Sequence, residues 1–498
     1  MVLDDAVYDY VIAGGGSGGS VLAGRLSEDP SVRVLLLEAG RSDRHPLIHV
    51  PSGFPKLKNG PYQWDYASIP QQHGNGRRIP LAQGRVLGGG GSINAQVFTR
   101  GVAEDYDSWV TDFGCEGWSA DEVAEYFVRS ESNSRLSGPH HGTQGPLGVS
   151  DLLRPHKLSA AFVKAGQEFG LPYNSDFNGA EQYGVGYYQT TTRNGRRCSA
   201  AVAYLKPARK RPNLTVRANV TVSKVIIRNG RAIGIEAIQG GRVRTYLADR
   251  EVIVSAGAFG SPKLLQLSGI GDPEDLAAAG IETVHALPGV GKNLHDHCDV
   301  DIVYELRDYH SLDRLNQVRP ATVLAGVEYL AFRSGPFAST LVEAGGFSYA
   351  NKEEKSPDLQ FHFLPAARVG TGAEALKPGF GATVNSYFLR PRSRGTVRAV
   401  SSDPSQAPLI DPNYLADDYD LEMAIAGVQQ SREIMEQTSM AELVKAEHIG
   451  DGSRVQSRDE YVKFVRYFGR TAYHPVGTCA MGTGDGAVVS PRLKVHGL

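Results

Sequence analysis

The chain has 498 residues, of which 41% are hydrophobic and 21% are charged, and this length predicts two domains rather than one hydrophobic core. The formal net charge of −2 argues against a nucleic-acid-binding protein. No apolar run is long enough to span a membrane. No charged and then apolar leader precedes the first strand, so we expect a cytoplasmic protein.

The cysteines and paired histidines give no sign of a metal site. The four cysteines are far apart and form no CxxC pair: Cys115, Cys198, Cys298 and Cys479. Adjacent His140 and His141 would point apart rather than at one metal ion, and the glycines and proline around them favour a surface loop. We therefore expect reduced thiols and no bound metal.

Residues 10–40 have the pattern of a dinucleotide-binding unit. A strand leads into three glycines with the spacing G-x-G-x-x-G: Gly14, Gly16 and Gly19. A helical segment follows with Val21, Leu22 and Leu26 on one face, and a second apolar strand, residues 32–37, ends at Glu38. Gly14 permits the tight turn, Gly16 lets the backbone approach a pyrophosphate, and Gly19 lets helix and strand pack closely. Glu38 falls where a carboxylate accepts the ribose hydroxyls, so the pattern predicts nucleotide binding.

Later segments return to the same nucleotide. Residues 47–80 lack periodicity, which predicts a long ordered loop over the nucleotide. Four consecutive glycines at 88–91 let the backbone lie against a flat ligand. Alternating apolar residues between 214 and 227, followed by Asn229-Gly230, predict strands and a hairpin turn. Residues 251–256 predict a buried strand that ends at the nucleotide. The nucleotide-binding domain is therefore discontinuous in sequence.

Four motifs, in order, resemble those of the glucose-methanol-choline (GMC) oxidoreductases, which are FAD enzymes. They are residues 84–101, residues 257–271, residues 287–294 with Asp296-His297, and the sequence HPVGTCAMG at 474–482. The resemblance covers nearly the whole chain. It implies an α/β fold, with a Rossmann-like FAD-binding domain of the GMC type and an interleaved α+β substrate domain built on an antiparallel sheet.

The resemblance also implies which residues bind FAD. The ADP half is assigned to Gly14, Gly16, Ser17, Gly18, Gly19, Glu38 and Ala39. The pyrophosphate and flavin are assigned to Arg85, Val86, Gly88, Gly89, Asn94 and Val97, with further nucleotide contacts at Val220, Ala256 and Gly257. Some members attach the flavin through a histidine at the position of Ile93, and isoleucine cannot form that bond. We therefore expect non-covalent FAD.

His474 matches the catalytic histidine of the family. Oxidising an alcohol requires a base for the hydroxyl proton while a hydride leaves the same carbon. Histidine titrates near neutral pH and can serve as that base, and flavin N5 can take the hydride. Relatives continue past the equivalent of Leu498 into a segment with a second catalytic residue, for which His496 is no substitute. We therefore expect this chain to hold FAD weakly and to turn over slowly.

The substrate domain is predicted from a change of pattern after His297. Residues 300–304 and 359–363 alternate between apolar and other residues, which predicts antiparallel sheet with one face buried. We assign 1–151, 198–299 and 462–498 to the FAD-binding domain, and 152–197 and 300–461 to the substrate domain. Glu343 and His362 are candidate pocket residues, with a surface or core role equally compatible. Ser119 and Glu122 predict a capping box that begins a helix.

The substrate is implied by resemblance within the family. Residues 45–51, 177–179, 196–199 and 490–498 are most similar to the bacterial L-sorbose dehydrogenase branch. This implies oxidation of the C1 hydroxyl of L-sorbose, with a quinone-type or artificial electron acceptor. The alternatives are a choline or aliphatic-alcohol dehydrogenase, an oxidase that uses oxygen, and a flavin-dependent lyase or inactive flavoprotein. The sequence leaves the oligomeric state open.

Overall fold

The computed structural model describes residues 2–3, 7–308, 311–317, 319–367, 376, 378–448 and 457–498. Within these residues two seven-stranded sheets dominate the fold. The strands are β1 (Val2–Leu3), β2 (Tyr8–Ala13), β3 (Val34–Glu38), β4 (Gln63–Trp64), β5 (Gln83–Gly84), β6 (Glu131–Asn133), β7 (Leu147–Val149), β8 (Gly184–Tyr187), β9 (Thr192–Arg193), β10 (Arg196–Arg197), β11 (Leu214–Ala218), β12 (Thr221–Arg228), β13 (Arg231–Gln239), β14 (Arg242–Val254), β15 (Ile270–Gly271), β16 (His285–Ala286), β17 (Cys298–Leu306), β18 (Ala344–Ser348), β19 (Leu359–Leu364), β20 (Gly381–Phe388), β21 (Thr396–Arg398), β22 (Leu409–Asp411), β23 (Val444–Glu447) and β24 (Arg470–Thr471).

Helices surround both sheets. They are α1 (Ser17–Leu26), α2 (Pro46–His49), α3 (Ala103–Phe113), α4 (Ala120–Ser130), α5 (Lys157–Phe169), α6 (Lys206–Ala208), α7 (Gly257–Leu267), α8 (Pro273–Ala278), α9 (Pro320–Phe332), α10 (Asp418–Met435), α11 (Thr438–Ala441) and α12 (Arg458–Phe468). Among the described residues, none of the helices is both long and apolar enough to cross a lipid bilayer. The predicted capping box at the start of α4 is confirmed, because the Ser119 N–H donates to Glu122 Oε2 at 3.0 Å.

The first sheet has the strand order β11-β3-β2-β14-β13-β12, with β1 beside β14. The strands β11, β3, β2 and the second half of β14 run parallel, and Tyr10 pairs with Val34 on one side and Glu251 on the other. All of β3 is buried, as a parallel strand covered on both faces should be. The carboxyl ends of these strands therefore meet at one edge, which is where ligands of such sheets bind.

The antiparallel extension of this sheet contains the predicted hairpin. Arg228 pairs with Arg231 across Asn229 and Gly230, whose φ angles are 52° and 71°. Two successive positive φ angles fit a two-residue turn of the kind that Asn-Gly favours. The hairpin prediction is confirmed.

Helix α1 packs through its small residues rather than through the predicted apolar face. Leu22 is 36% exposed. A Cβ atom on Gly24 would lie 3.0 Å from Cβ of Tyr204, in the π-helical turn Ala201–Leu205. The close approach of this turn leaves no room for large side chains. The buried residues of α1 are Gly19, Ser20, Ala23 and Gly24.

The second sheet is antiparallel and has the order β23-β17-β20-β19-β18-β8, with β24 paired to the start of β17. One face packs against α5 and α10 in the largest hydrophobic core. Phe162 of α5 and Phe363 of β19 stack there with ring centroids 4.6 Å apart. The predicted antiparallel sheet is confirmed.

The opposite face of this sheet is polar and also buried, so the prediction of a half-buried sheet is wrong. Asp299, Asp301 and Asn385 are each at most 4% exposed. Arg470 approaches a carboxylate oxygen of Asp299 at 2.7 Å and one of Asp301 at 2.9 Å, and Asn385 Nδ2 donates to Asp299 at 2.6 Å. Because the charges are paired, this face can be covered by other parts of the chain.

The two sheets interleave along the chain. Strands of the first come from residues 2–38 and 214–254, and strands of the second from residues 184–187 and 298–471. The fold is therefore α/β, with a Rossmann-like unit and an interleaved α+β unit on an antiparallel sheet, as predicted. The exact boundaries of the two domains stay a prediction.

His141 corrects the predicted surface loop. His140 is exposed, but His141 is only 5% exposed. Its Nδ1 lies 3.0 Å from Glu131 Oε1 and its Nε2 lies 2.9 Å from Asp176 Oδ2. The ring thus joins two carboxylates of a buried network to which Arg100 also contributes an ion pair with Glu131. The prediction failed because the two acidic partners lie 10 and 35 residues from His141 in sequence, so no local pattern joins them.

Candidate active site

A cavity of about 350 Å³ opens at the carboxyl edge of the first sheet. It lies beyond the ends of β2, β3 and β14, and both glycine-rich motifs contribute to its wall. Ten of the predicted cofactor residues line it: Gly14, Gly16, Ser17, Gly18, Glu38, Ala39, Gly89, Val220, Ala256 and Gly257.

The glycines at the cavity wall and in the turn beside it divide into two kinds. A Cβ atom on Gly14 would lie 2.5 Å from the Ser255 carbonyl oxygen, and one on Gly19 would lie 2.0 Å from the Gly14 oxygen. These two glycines are required by the turn itself. At Gly16 a Cβ atom would find no described protein atom closer than 3.9 Å, and at Gly257 none within 4 Å. Gly257 also has φ of 83°, which favours glycine, and the bare backbone at both positions leaves the cavity free for a ligand, which fits a bound dinucleotide.

Glu38 ends β3 beside this cavity and is 6% exposed. Its two carboxylate oxygens accept the backbone N–H groups of Gly15 and Gly40, each at 2.7 Å. Burial raises the pKa of Glu38, although these two N–H groups and Arg85 oppose the rise. Each oxygen retains a further lone pair, so the carboxylate can also accept ribose hydroxyls.

Aromatic residues that the sequence did not single out complete the cavity. Trp64 and Tyr66 line it and stack with ring centroids 5.7 Å apart at an angle of 10°. The guanidinium of Arg85 lies 4.3 Å from the centroid of the Trp64 ring. Their only signal in the sequence was the aromatic content of residues 47–80.

Six predicted cofactor residues do not line the cavity. Gly19 packs against the Gly14 turn, and Arg85 covers Trp64. Gly88 donates its N–H to the Gly15 oxygen at 2.8 Å. Val86 is buried with Ile48 and Leu57, and Val97 packs near Tyr188 and Phe347. Asn94 is exposed, and roles of these residues toward FAD stay predictions.

Arg197 holds the loop that follows the glycine run, a role that we did not predict from the sequence. It is 1% exposed, and no carboxylate of the described residues pairs with it. Its guanidinium donates to the oxygens of Ile48 at 2.7 Å and Gly91 at 3.1 Å, and to Asn94 Oδ1 at 2.6 Å and Asn94 O at 2.8 Å. Burial lowers the pKa of Arg197 to about 9, so it remains a cation at neutral pH.

His474 is hydrogen-bonded to a second histidine. Its Nδ1 lies 3.0 Å from Nδ1 of His297, and His297 Nε2 lies 3.0 Å from the Leu389 carbonyl oxygen. Burial lowers the pKa of His297 to about 4, with His474 adding to the effect. The pKa of His474 is also lowered to about 4 by the surrounding protein, although the residue remains accessible to water. Both rings are therefore neutral at pH 7.

The Leu389 carbonyl decides where the protons of this pair lie. A carbonyl oxygen can only accept, so neutral His297 carries its proton on Nε2 and leaves Nδ1 as an acceptor. His474 must then donate from Nδ1, which leaves its Nε2 unprotonated. Among the described residues, His474 Nε2 has no hydrogen-bond partner. An unprotonated, water-accessible imidazole nitrogen is the form that a general base requires.

A buried carboxylate fixes the loop that carries His474. Asp296 Oδ1 accepts the His474 backbone N–H at 2.9 Å, and Asp296 Oδ2 accepts the hydroxyls of Thr471 and Tyr414, each at 2.5 Å. Tyr473, just before the histidine, has φ of 67°, which is unusual for an aromatic residue. The turn after β24 is thus held in a strained conformation that directs His474 toward His297.

Contacts connect the histidine pair to both glycine-rich segments. Leu389, whose carbonyl orients His297, packs against the same hydrophobic cluster as Ala95 and Val97, which follow the first glycine run. Thr478 follows His474 by four residues, and its hydroxyl donates to the Ala258 oxygen at 2.6 Å. Ala258 lines the nucleotide cavity. The histidine pair is therefore built into the same part of the molecule as the cavity.

The two candidate pocket residues have different environments. Glu343 is 1% exposed and accepts from His156 N, Ser159 Oγ and Ser339 Oγ, each at 2.7 Å, so it is a satisfied core carboxylate. His362 Nε2 instead lies 3.2 Å from the Tyr387 hydroxyl. The Tyr387 ring in turn stacks on His297, with ring centroids 5.0 Å apart. His362 is therefore connected to the histidine pair through Tyr387.

Comparisons with known proteins agree with this geometry. Residues 8–299 and 391–498 match the two family models described as GMC oxidoreductase. An alcohol dehydrogenase (acceptor) of Pseudomonas putida is 42% identical, over 99% of this chain and 89% of its own length. Oxygen-dependent choline dehydrogenase 1 of Chromohalobacter salexigens is 41% identical, over 99% of this chain and 88% of its own length. The crystal structure of pyridoxine 4-oxidase from Mesorbium loti superposes with a TM-score of 0.89 at 31% identity, over 99% of this chain and 92% of that one.

Proposed function

The chain is a member of the GMC oxidoreductase family, whose cofactor is FAD, and we propose that it oxidises a primary alcohol with His474 as the general base. The observation that carries the proposal is the unprotonated Nε2 of His474, set by the hydrogen bonds to His297 and Leu389. Bound FAD supplies the acceptor for the hydride that leaves the alcohol carbon. Its site is the cavity lined by the bare backbone of both glycine-rich motifs.

In this proposal, side chains of the protein accept the hydroxyl proton of the alcohol. His474 Nε2 accepts the hydroxyl proton, while His474 Nδ1–H continues to donate to His297. The fixed chain from Leu389 through His297 keeps the correct ring nitrogen available without reorganisation. The Tyr387 hydroxyl and His362 lie beside the pair and offer further polar contacts for an alcohol oxygen.

We propose an uncharged primary alcohol as the substrate. The buried carboxylates of the polar sheet face are already paired with Arg470, so they offer little to a cationic substrate such as choline. The two relatives are named for alcohol and choline, and neither supports L-sorbose. The electron acceptor is proposed to be of the quinone type, with oxygen as the alternative that the name of the second relative suggests.

Anaerobic reduction of FAD-loaded protein tests the proposal. Loss of visible flavin absorbance with aliphatic primary alcohols is expected to exceed that with choline or L-sorbose. Reoxidation is then followed with a water-soluble quinone and with oxygen, and peroxide is measured. Failure of every alcohol to reduce the flavin would contradict the proposal. Acid precipitation should also release the flavin into solution, because Ile93 cannot bind it covalently.

A further inference from the structure

A loop from a later part of the chain reaches the nucleotide cavity. Residues 399–408 connect β21 to β22, and Pro404 in the middle of this loop lines the cavity. Asp403 and Ser405, on either side of Pro404, are exposed. Pro404 is therefore the point at which the loop meets the cavity wall. We name residues 399–408 the closing loop.

Lys263 of α7 binds the closing loop at this point. Its Nζ donates to the Pro404 carbonyl oxygen at 2.7 Å, and Lys263 itself lines the cavity. Burial lowers the pKa of Lys263, and the carboxylate of Asp403 opposes this fall. The ammonium group is therefore held by a carbonyl oxygen and by an acidic side chain of the same loop. This contact joins segments that are 141 residues apart in the chain.

Gln266, three residues after Lys263 on α7, fixes the first end of the closing loop. Gln266 is 2% exposed, its Nε2 donates to the Val397 oxygen at 2.9 Å, and its Oε1 accepts the Ala399 N–H at 2.7 Å. Residues three apart lie on the same face of a helix. One face of α7 therefore holds the loop at its root through Gln266 and at its middle through Lys263.

The tip of the closing loop is organised by its own side chains. Asp403 accepts from the N–H and the hydroxyl of Ser405, at 2.8 and 2.9 Å, and the Asp403 N–H donates to Ser401 Oγ at 3.2 Å. Among the hydrogen bonds of the described residues 401–407, the bond from Lys263 is the only one to another part of the chain. The tip is therefore a preformed unit that is tethered at one point.

The tether lies at the end of the cavity beyond Glu38. The Val220 N–H donates to the Glu38 carbonyl oxygen at 2.9 Å, so Val220 stands next to the end of β3. Leu264, which follows Lys263, packs in the same hydrophobic cluster as Val220, and both residues line the cavity. In a dinucleotide the ribose lies between the pyrophosphate and the adenine. With the pyrophosphate at the glycine turn and the ribose at Glu38, the adenine falls at this end.

We propose that Lys263 and Pro404 form a latch that fastens the closing loop over the adenosine half of bound FAD and slows its release. Opening the single hydrogen bond between them frees the tip of the loop, while Gln266 still holds its root. The latch rests on FAD as the cofactor. It is independent of the alcohol and of the role of His474, so it can fail while the proposed function holds.

The rate of FAD release tests the latch without measuring alcohol oxidation. FAD-loaded wild type and Lys263→Met are diluted, and the flavin fluorescence that appears gives the dissociation rate. Methionine keeps the unbranched stem of lysine but cannot donate to Pro404. We expect release to be at least about tenfold faster, because a hydrogen bond from a charged donor is lost. The control is Lys445→Met, which loses a contact with Glu305 outside the cavity lining and should release FAD as the wild type does.

Shortening the closing loop distinguishes a latch from a direct contact between Lys263 and the cofactor. Replacing residues 401–406 with two glycines removes Pro404 and keeps Lys263, and exposed loop tips tolerate such changes. The shortened protein should also release FAD faster, and adding Lys263→Met to it should cause no further change. Matched melting temperatures of the FAD-free proteins confirm that the variants fold. Wild-type release rates in either single variant, or effects that multiply in the combined variant, would overturn the latch.

Discussion

At the scale of single residues, a hydrogen bond between two Nδ1 atoms determines what His474 can do. Without the Leu389 carbonyl, His297 could carry its proton on either nitrogen, and so could His474. The tautomer is therefore set by the residue that follows β20, not by the motif that contains the base. This places His297 as a positioning residue and His474 as the catalytic one.

Replacing His297 by leucine removes the acceptor for His474 Nδ1–H. His474 can then place its proton on Nε2, which is the wrong tautomer for a base. We expect kcat/KM for a primary alcohol to fall by about 10²-fold, and the pH profile to change. Glutamine at this position can still accept through its amide oxygen and should restore part of the rate. Equal rates and pH profiles for His297→Leu and wild type would contradict this role.

Arg197 is expected to contribute to stability through its four hydrogen bonds. Arg197→Met leaves the oxygen of buried Ile48 and the oxygen of partly buried Gly91 without a donor, and it removes two hydrogen bonds to Asn94. Each unpaired buried acceptor costs roughly 1–3 kcal/mol, so we expect a loss of about 3 kcal/mol or more in the free energy of unfolding. Urea unfolding measures this loss. Exposed Arg135→Met serves as the control, and a similar small effect for both variants would refute the assignment.

The sequence could identify His474 only through resemblance, and it could not assign a role to His297. The two histidines are separated by 177 residues, and Leu389 lies 92 residues from His297. No local pattern reports such contacts. The role of Arg197 could not be predicted for the same reason, because its hydrogen-bond acceptors lie in two other segments of the chain.

At the scale of elements, the strand, glycine turn and helix of the nucleotide site follow from local pattern. Gly14 and Gly19 are dictated by backbone contacts within the turn, so their spacing could be read directly. The second sheet shows the limit of that approach. Alternation correctly predicted its strands, but Arg470, which neutralises the polar face, comes about 170 residues after Asp299 and Asp301. The burial of that polar face could therefore not be predicted from the local sequence pattern.

Gly16→Ala separates ligand binding from folding at the glycine turn. Gly16 has φ of −66°, and an added Cβ atom meets nothing closer than 3.9 Å, so the folded protein should tolerate alanine. The methyl group would instead occupy the cavity. We expect FAD affinity, measured by flavin fluorescence, to fall at least about tenfold, or 1.4 kcal/mol. Gly484→Ala, which also meets no atom within 4 Å and does not line the cavity, should leave affinity unchanged. Equal affinity in both variants would contradict the placement of FAD.

At the scale of the whole molecule, the lowered pKa values of His297 and His474 couple stability to pH. Burial lowers the pKa of His297 and of His474 to about 4, whereas histidine in an unfolded chain titrates near 6.5. Below pH 6.5 the unfolded chain therefore binds protons that the folded chain does not. This contribution to stability is complete above pH 6.5 and is lost as the pH falls toward 4.

Urea unfolding at pH 7 and pH 5 measures this coupling. After allowing for the water that reaches His474, we expect these two residues to account for a loss on the order of 1 kcal/mol. The double variant His297→Gln, His474→Gln should show a correspondingly smaller loss. Identical losses in the variant and the wild type would show that folding does not lower the pKa values of these two rings.

The central claim is that His474 removes the alcohol proton beside bound FAD. Anaerobic stopped-flow reduction of FAD-loaded wild type and His474→Gln by the same primary alcohol tests it most directly, with flavin content matched. We expect the variant to reduce its flavin about 10²- to 10⁴-fold more slowly, with little change in alcohol affinity. Flavin reduction at equal rates in the two proteins would contradict the claim.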